Sequence, residues 1–443
     1  MKKLILPIIV LLLTGCQKTE YDRIKNYLET IEIVDTHEHL QIPADSNSFC
    51  IFNTVSYFTS DIYSSGAPSF SDLQKNKFNA DSLWNKFGKY YNYSRATSYH
   101  EQFMNTLRIL YSYDKPYLEK DDVQDLYNRM IANRYRNYGQ WFDEVYKKTH
   151  FKTMLNDQYW NHFNTKIDTL HFKLVCNISS CVLLVNEAAE NKKITSDKNL
   201  LQLMNREVIN TENLDDYVNM VDSVINIFIR NGAVCLKNVL AYSRSIDFED
   251  IDYSTANRIF NKSVAPTAQE KKQLQDFIFH HIIQQSIKLN LPIQIHTGYL
   301  AGNRGWLDNG SPMKLLNLFI KYPDAKFILF HGGYPWTSDF VALGKQFSNV
   351  YLDLVWLPQI SKTEAIRTLN EMLDAMPYNK IMWGGDVLII DDAVGSLELG
   401  KDVVATVLSE RVEKGWMTQD MALEIAGCIF RDNATELFRL NNK

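Results

Sequence analysis

The sequence predicts an α/β protein whose main unit is a (β/α)8 barrel, or TIM barrel. Short apolar or β-branched segments alternate with longer amphipathic ones from about residue 151 onward, and one further strand pattern precedes them. Strands that alternate with helices form parallel βαβ units, and eight such units favour a closed barrel over an open sheet. Residues 40–150 are rich in Tyr, Phe, Trp, Lys and Asn and mostly helical in pattern. They predict one long helical insertion between the first and second strands.

The individual elements follow from the same alternation. The predicted strands are 31–35, 151–155, 172–176, 233–238, 291–297, 326–331, 349–354 and 380–384. The main helical patterns are 81–93, 121–147, 198–208, 214–231, 269–289, 311–321, 362–374 and 396–414.

Composition and charge narrow the class of protein. The chain has 443 residues, is 45% hydrophobic and 22% charged, and carries a formal net charge of −5. These values are typical of a globular enzyme, and the basic residues are scattered rather than gathered into a positive stripe. Nucleic acid is therefore not an expected partner. The expected partner is a small-molecule substrate, and a homo-oligomer is left open.

The N-terminus, MKKLILPIIVLLLTGCQKTE, has the pattern of a secretory signal. Two lysines precede an apolar run of ten residues, which is short for a membrane span of roughly 20 residues. The ending Leu-Thr-Gly-Cys resembles the lipobox of bacterial lipoproteins, although an ordinary signal peptide with a chance cysteine remains the alternative. The resemblance predicts a signal peptide at 1–15, a lipidated Cys16 and a tether at 16–30. It also implies a lipid-anchored protein of the bacterial cell envelope, on the outer membrane because Gln17 follows the cysteine.

The other cysteines do not form a metal or redox motif. Cys50, Cys176, Cys181, Cys235 and Cys428 include no Cys-x-x-Cys pair. Cys176 and Cys181 could form a disulfide in an oxidising compartment, but we expect both to be small core residues.

Four short motifs stand at the ends of four predicted strands. They are VDTHEH (34–39), QIHTG (294–298), FHGGYP (330–335) and WGGD (383–386). Residues i and i+2 of a strand point to the same side, so His37 and His39 can offer two imidazoles to one ion. The carboxyl ends of barrel strands converge on one mouth, where these residues would meet. Each motif alone has a structural explanation, but four in this order predict a divalent metal site, preferably zinc.

The order of these residues resembles the amidohydrolase superfamily. IQIHTG, FILFHGGYP and NVYLDL in 291–355 and IFRDNATELFRL at 429–440 are similar to its amidohydrolase-related, or amidohydrolase 2-type, branch. The resemblance implies that His37, His39 and His296 bind the metal and that Asp386 ligates it or accepts a proton from its water. It implies that His331 hydrogen-bonds the water or a substrate oxygen, or binds a second metal. On this basis 31–443 would be a metal-dependent hydrolase barrel.

Lys237 ends the predicted fourth strand and has two interpretations. Some amidohydrolases carry a carboxylated lysine there that bridges two metals. The alternative, which we favour, is that Lys237 with Tyr242 and Arg244 binds a substrate carboxylate or phosphate, with a single metal. Tyr242 and Arg244 could also belong to a surface loop without such a role.

Hydrolysis is the reaction that this site favours. A metal with an open position brings the pKa of water towards roughly 7, and Asp386 can carry the proton to the leaving group. An amide, ester or lactone is therefore the leading substrate. A decarboxylase or a uronate-type isomerase on the same barrel is the second hypothesis, and a non-catalytic surface binding lipoprotein is the third. The aromatic insertion would cover the mouth, or it would be a packing or oligomer surface.

Overall fold

The computed structural model describes residues 19–40, 51–54, 57–68, 79–133 and 138–441. Eight parallel strands form one sheet in the order β1-β2-β3-β6-β7-β8-β9-β10, and β4 and β5 form a separate two-stranded antiparallel sheet. The barrel strands are β1 Ile33–Glu38, β2 Phe151–Asn156, β3 Phe172–Asn177, β6 Ala233–Asn238, β7 Ile293–Ile295, β8 Phe327–Leu329, β9 Val350–Asp353 and β10 Ile381–Met382. The small sheet consists of β4 Lys193–Ile194 and β5 Ile209–Asn210.

The barrel closes between its last and first strands. The Asp386 amide donates to the His37 carbonyl at 2.8 Å, and the His39 amide donates to the Val387 carbonyl at 2.9 Å. These hydrogen bonds lie just beyond the end of β10, so the carboxyl end of β1 is tied to the segment that follows the last strand. The predicted (β/α)8 barrel is confirmed.

Side chains on the two faces of the strands enter two different apolar cores. Since successive strand residues point to opposite faces, each strand contributes to the helix layer outside the barrel and to its interior. The interior core continues without a break into the insertion. Residues facing the helix layer include Ile33, Met154 and Leu174, and residues facing the interior include Val34, Leu155 and Val175.

Nineteen α-helices lie in the described part of the chain, and several begin at capping boxes, as at Asn213 and Thr267. In the first half they are α1 Glu20–Leu28, α2 Phe58–Ser64, α3 Ala80–Tyr93, α4 Ser98–Tyr111, α5 Val123–Ile131, α6 Tyr138–Lys148, α7 Ser179–Leu183, α8 Val185–Asn191, α9 Lys198–Leu203 and α10 Leu214–Arg230. In the second half they are α11 Tyr253–Phe260, α12 Ala268–Leu289, α13 Leu316–Lys321, α14 Thr337–Gln346, α15 Leu357–Ile360, α16 Lys362–Ala375, α17 Ile390–Glu413, α18 Gln419–Gly427 and α19 Asn433–Leu437.

The insertion between β1 and β2 is mostly helical in its described parts and docks on the barrel mouth. Tyr111 Oη donates to Asp391 at 2.5 Å, and Trp141 Nε1 donates to the same carboxylate at 3.0 Å. The Tyr57 ring lies 4.7 Å from the ring of Trp356, which follows β9. The insertion therefore contacts the end of the barrel where the predicted site residues lie.

The predicted and observed elements differ mainly at helix boundaries. The pattern at 121–147 gives two α-helices, α5 and α6. The last long helix, α17, begins at Ile390 rather than at 396, because buried apolar residues such as Val394 extend its packed face towards the N-terminus. Several other elements were not predicted, among them the helices α11, α14 and α18, the two-residue strands β4 and β5, and α1, which lies within the predicted tether at 16–30.

Two smaller expectations concern cysteines and membrane spans. Cys176 and Cys181 are buried free thiols, as expected for core residues. Among the described helices, none combines the length and hydropathy that a membrane span needs. Cys16 and the predicted signal peptide lie outside the described residues.

Candidate metal centre and substrate pocket

The first strand presents two imidazoles with the same nitrogen facing inward. His37 Nδ1 lies 3.2 Å from Gln294 Oε1, and the amide of Gln294 is itself oriented because its Nε2 donates to the Thr36 carbonyl at 2.8 Å. His39 Nδ1 lies 2.7 Å from the Asp157 carbonyl. Both Nδ1 atoms face oxygen acceptors and so carry the proton. The Nε2 atom of each ring faces the barrel mouth, where it can offer a lone pair to a metal ion.

The segment after β10 brings a carboxylate to these two imidazoles. Asp386 Oδ1 lies 3.1 Å from His39 Nε2 and 4.0 Å from His37 Nε2. The backbone of Asp386 is left-handed, with φ of 57°, and its amide is held by the His37 carbonyl. Gly385 allows this approach, because a Cβ atom there would lie 2.1 Å from Glu38 Oε1. Asp35 fixes the same turn by accepting a hydrogen bond from the Gly385 amide at 3.0 Å.

His37, His39 and Asp386 fit a divalent metal ion. One ligand atom from each lies within 4.8 Å of the others, and His37 Nε2 is a buried polar atom without a hydrogen-bond partner. Bonds of about 2.0–2.2 Å in a tetrahedral site place ligand atoms roughly 3.3–3.5 Å apart, so the most widely separated pair would have to approach by no more than about 1.5 Å. Two lone pairs and a carboxylate that converge on one point are unfavourable without a cation between them.

The electrostatic surroundings favour a neutral His37 and an ionised Asp386, the forms of these two side chains that bind a cation. Burial lowers the pKa of His37 well below its usual value, so this ring is neutral. Burial alone would raise the pKa of Asp386, but the nearby imidazoles of His39, His331 and His37 outweigh burial and lower it. Burial would lower the pKa of His39, but the adjacent Asp386 carboxylate outweighs burial and raises it, so a metal ion would displace a proton from this ring. Neutral imidazoles and an ionised carboxylate are the metal-binding forms of these side chains.

His296 and His331 form a pair beside this cluster. His331 Nε2 lies 3.0 Å from His296 Nδ1. The other nitrogen of each ring faces a backbone carbonyl. His296 Nε2 lies 2.8 Å from the Tyr299 carbonyl, and His331 Nδ1 lies 3.1 Å from the Val355 carbonyl. Burial lowers the pKa of both rings, that of His331 to about 4. Two neutral rings carry two N–H groups, so only two of these three contacts can be hydrogen bonds at once. His296 can therefore leave one contact at little cost, and its role as a metal ligand stays a prediction.

His331 also approaches the carboxylate of the cluster. Its Nδ1 lies 3.7 Å from Asp386 Oδ2, and the whole residue is buried. The structure thus brings together all the histidines of the sequence prediction and Asp386, each within reach of a neighbour in the group.

A cavity of about 430 Å³ opens above the cluster. Its exposed wall is mostly apolar, and aromatic rings from the insertion and from the loops after β2 and β6 surround it. The described residues that line it are His37, His39, Tyr57, Tyr159, His162, Ser179, Leu183, Lys237, Val239, Tyr242, Ser243, His296, Ala301, Asp386 and Leu388.

Lys237 enters this cavity from the end of β6, as the sequence predicted. Only 1% of the residue is exposed, and Nζ lies 3.5 Å from the centre of the Phe330 ring. Burial lowers the pKa of its ammonium group to about 8, with the nearby Asp386 opposing the shift. The side chain is still charged at pH 7.

Tyr242 and Arg244 were expected to assist Lys237, and the structure separates them. The Tyr242 ring lines the cavity 4.7 Å from the ring of His296, and its Oη accepts a hydrogen bond from the Ala301 amide at 3.0 Å. Arg244 does not line the cavity. Its guanidinium points away and binds Asp276 Oδ1 at 2.6 Å in an ion pair between the β6 loop and α12. This correction has a simple cause, since sequence spacing does not show which loop residue turns towards the helix layer.

Tyr57, Tyr159, His162 and Ser179 are among the wall residues that sequence reasoning missed. Tyr57 belongs to the insertion, and the others follow β2 and β3, whose ends carry no metal-ligand pattern. His162 Nδ1 lies 2.7 Å from Ser180 Oγ, and the Tyr159 ring lies 5.0 Å from the His39 ring. The sequence signal that could have identified them was their position in loops after predicted strands, because every such loop reaches the same mouth of the barrel.

Comparison with known proteins agrees with this geometry. Residues 264–440 match the sequence model of the Amidohydrolase family. The chain is 28% identical over 229 residues to the protein fluG of Emericella nidulans, a match that covers 47% of this chain and 26% of that protein. The chain thus spans about a quarter of the length of this relative.

Solved structures with similar folds cover nearly the whole chain. A uronate isomerase from Thermotoga maritima has a TM-score of 0.74 at 15% identity, covering 95% of this chain and 98% of that one. A glucuronate isomerase from Caulobacter crescentus gives 0.73 at 12% identity, with 96% and 94% covered. A protein described as a metal-dependent hydrolase from Lactobacillus casei gives 0.64 at 14% identity, with 94% and 98% covered.

The family match, the barrel and the ligand cluster support the amidohydrolase superfamily for this chain. The match over residues 264–440 supports an enzyme that is similar to the metal-dependent amidohydrolases, and it leaves hydrolase, lyase and isomerase reactions open. The ligand set suits a divalent ion.

The cluster predicts which histidines hold the ion. His37→Ala and His39→Ala should each lower bound metal from about one equivalent to below about 0.1 per chain, because each removes one of three converging donors. Inductively coupled plasma mass spectrometry after dialysis measures this directly.

His281→Ala is the matched control, since His281 binds Asp222 on α10 at 2.7 Å and does not line the cavity. It should keep its metal. Full metal content in His37→Ala or His39→Ala, with wild-type circular dichroism, would remove these residues from the site.

Proposed function

We propose that the protein is a zinc-dependent hydrolase that cleaves a small amide, ester or lactone by attack of an activated water on the carbonyl carbon. The observation that carries this proposal is the convergence of His37 Nε2, His39 Nε2 and Asp386 Oδ1 at the base of a cavity. Nitrogen and carboxylate donors in small number, with room for a further ligand, are typical of catalytic zinc.

Different side chains of the site would have different roles in such a hydrolysis. A divalent ion held by this cluster would lower the pKa of water and polarise a carbonyl group. Asp386 has its Oδ1 beside the two imidazoles and its Oδ2 towards His331, so it can take a proton from the attacking water and deliver it to the leaving group. His331 is neutral and held by the Val355 carbonyl, so it can orient the carboxylate without competing for the proton.

The cavity wall favours a carbonyl compound with an apolar body over a sugar acid. Each hydroxyl of a polyol needs its own donor or acceptor on the protein. Two hydroxyl groups of the wall each already accept one backbone hydrogen bond, Ser179 Oγ from the Val239 amide at 2.8 Å and Tyr242 Oη from the Ala301 amide, which reduces what they can offer to a polyol. Uronate isomerisation, which the names of two fold neighbours suggest, is therefore the alternative that the test must separate.

A substrate panel distinguishes these reactions. The zinc-loaded protein is incubated with amides, esters and lactones, and separately with sugar acids and aromatic acids. We expect a carboxylic acid product from the first set, detected by chromatography because amide hydrolysis releases no net proton near pH 7, with no ketose and no carbon dioxide from the second. Ketose formed from a uronate, or carbon dioxide from an aromatic acid, without any acid release would overturn the hydrolase proposal.

Asp386→Asn tests the proton carrier. The amide keeps an oxygen near the imidazoles but cannot accept a proton, so turnover should fall about 10²–10⁴-fold while metal is largely retained. Steady-state kinetics on the best substrate of the panel, with metal analysis of the same sample, measures both effects.

Asp222→Asn provides the same chemical change away from the cavity, where Asp222 binds His281. Its kinetics should match the unmodified protein. A near-normal rate for Asp386→Asn would show that another group moves the proton.

We further propose that Cys16 anchors the protein to the cell envelope after removal of residues 1–15. The support is the lipobox-like end of the apolar run, directly before the cysteine. Cys16→Ala should shift the protein from the membrane fraction to the soluble or precursor fraction of a bacterial host. Cys428→Ala, far along the chain, should not. Unchanged membrane fractionation of Cys16→Ala would contradict the lipid anchor.

A further inference from the structure

We propose that the cavity is built for a substrate that bears a carboxylate, and that Lys237 binds this carboxylate while the reacting carbonyl faces His37, His39 and Asp386. This inference rests on the proposed function for the reaction itself. It adds the chemical class of the substrate: a carbonyl compound with a planar, apolar body and one carboxylate.

The first argument is that Lys237 is a buried cation whose ammonium group forms no direct ion pair with the described residues, although Asp386, Asp157 and Asp353 lie near enough to act on its charge. Three lysines are buried in the described part of the chain. Lys401 pairs with Glu29 at 2.9 Å, and Lys380 donates to the carbonyls of Gly344 and Phe347. Among the described residues, Lys237 Nζ has no hydrogen bond or salt bridge. A buried ammonium group is costly unless an anion or acceptors satisfy it, and its position on the cavity wall makes a ligand the natural partner.

The second argument concerns the charge of Lys237. Its Nζ lies 3.5 Å from the centre of the Phe330 ring, and the face of an aromatic ring attracts a cation. A carboxylated lysine would place an anionic group against the same face. The geometry therefore favours a free ammonium group over the bridging carbamate that the sequence left open.

The third argument sets the kind of anion. Lys237 is the one lysine in the described lining, which contains no arginine, because Arg244 is engaged with Asp276. One ammonium group balances one carboxylate, whereas a phosphate dianion needs several donors. Tyr57, Tyr159 and Tyr242 supply flat faces for the body of the ligand.

Benzoate and benzamide are matched probes, since they share size and shape and differ in charge. Binding is measured by isothermal titration calorimetry on the full chain, both zinc-loaded and after chelation, because benzoate could also bind the metal. The variants are Lys237→Met and Lys237→Arg, with Lys401→Met as a buried lysine outside the cavity. Circular dichroism and melting curves verify folding, and removal of an unpaired buried charge should leave Lys237→Met at least as stable as the unmodified protein.

We expect the chelated protein to bind benzoate at least about tenfold more tightly than benzamide, as a charge-assisted hydrogen bond implies. Lys237→Met should remove this difference, Lys237→Arg should keep part of it, and Lys401→Met should keep all of it. Inorganic phosphate should bind more weakly than benzoate.

Three results of the binding measurements would overturn the inference, and one result of metal analysis would do the same. They are equal binding of benzoate and benzamide to the chelated protein, benzoate binding unchanged in Lys237→Met, or phosphate binding tighter than benzoate. Two metal equivalents per chain that fall to one in Lys237→Met would also overturn it, because they indicate a carbamate bridge. None of these measurements involves turnover, so they decide the carboxylate site independently of whether the substrate panel supports hydrolysis.

Discussion

The closure of the barrel between β10 and β1 is the constraint on which the site depends. His37 contributes to this closure in two ways. Its backbone carbonyl accepts a hydrogen bond from the Asp386 amide, and its imidazole faces the Asp386 carboxylate. Glycines at 384 and 385 leave the space for this approach, and Asp35 holds the Gly385 amide. The hydrogen bonds that close the barrel therefore also set the positions of the metal-binding side chains. A change that opened this seam would disperse the donors as well as weaken the fold.

Much of the fold and the centre of the site could be predicted from the sequence. Eight apolar strands alternating with helices leave few topologies, and the two-residue period of a strand places His37 and His39 on one side. The identity of each donor atom could not be predicted. That Nε2 faces inward depends on Gln294 and on the Asp157 carbonyl, which lie on other strands and meet β1 only in the folded barrel.

Loop residues were the least predictable part of the site. Lys237 belongs to a strand, whose direction fixes its side chain, and it lies where the sequence placed it. Arg244 follows that strand by six residues, and its course depends on Asp276 of α12. Tyr57 could not be assigned because its neighbours in the insertion carry no recognised motif, and its position depends on contact with Trp356. The direction of a strand fixes where the side chains at its end point, whereas the position of a loop residue depends on contacts with residues distant in sequence.

The cavity combines features that serve binding rather than stability. An ammonium group in an apolar wall lowers the stability of the free protein, and the lone pairs of the metal cluster repel the adjacent carboxylate. Such arrangements are expected where a ligand supplies the missing charge. The carboxylate of the substrate would then neutralise Lys237 on the wall, while its carbonyl group faced the metal ion at the base. A substrate bound at both points would have a single orientation in the cavity.

A diffraction experiment at the zinc absorption edge tests the central claim most directly. Crystals of the zinc-loaded protein should give one anomalous peak about 2.0–2.2 Å from the Nε2 atoms of His37 and His39 and from a carboxylate oxygen of Asp386. A zinc-loaded crystal with no peak between these three side chains, or with its strongest peak elsewhere in the barrel, would contradict the account.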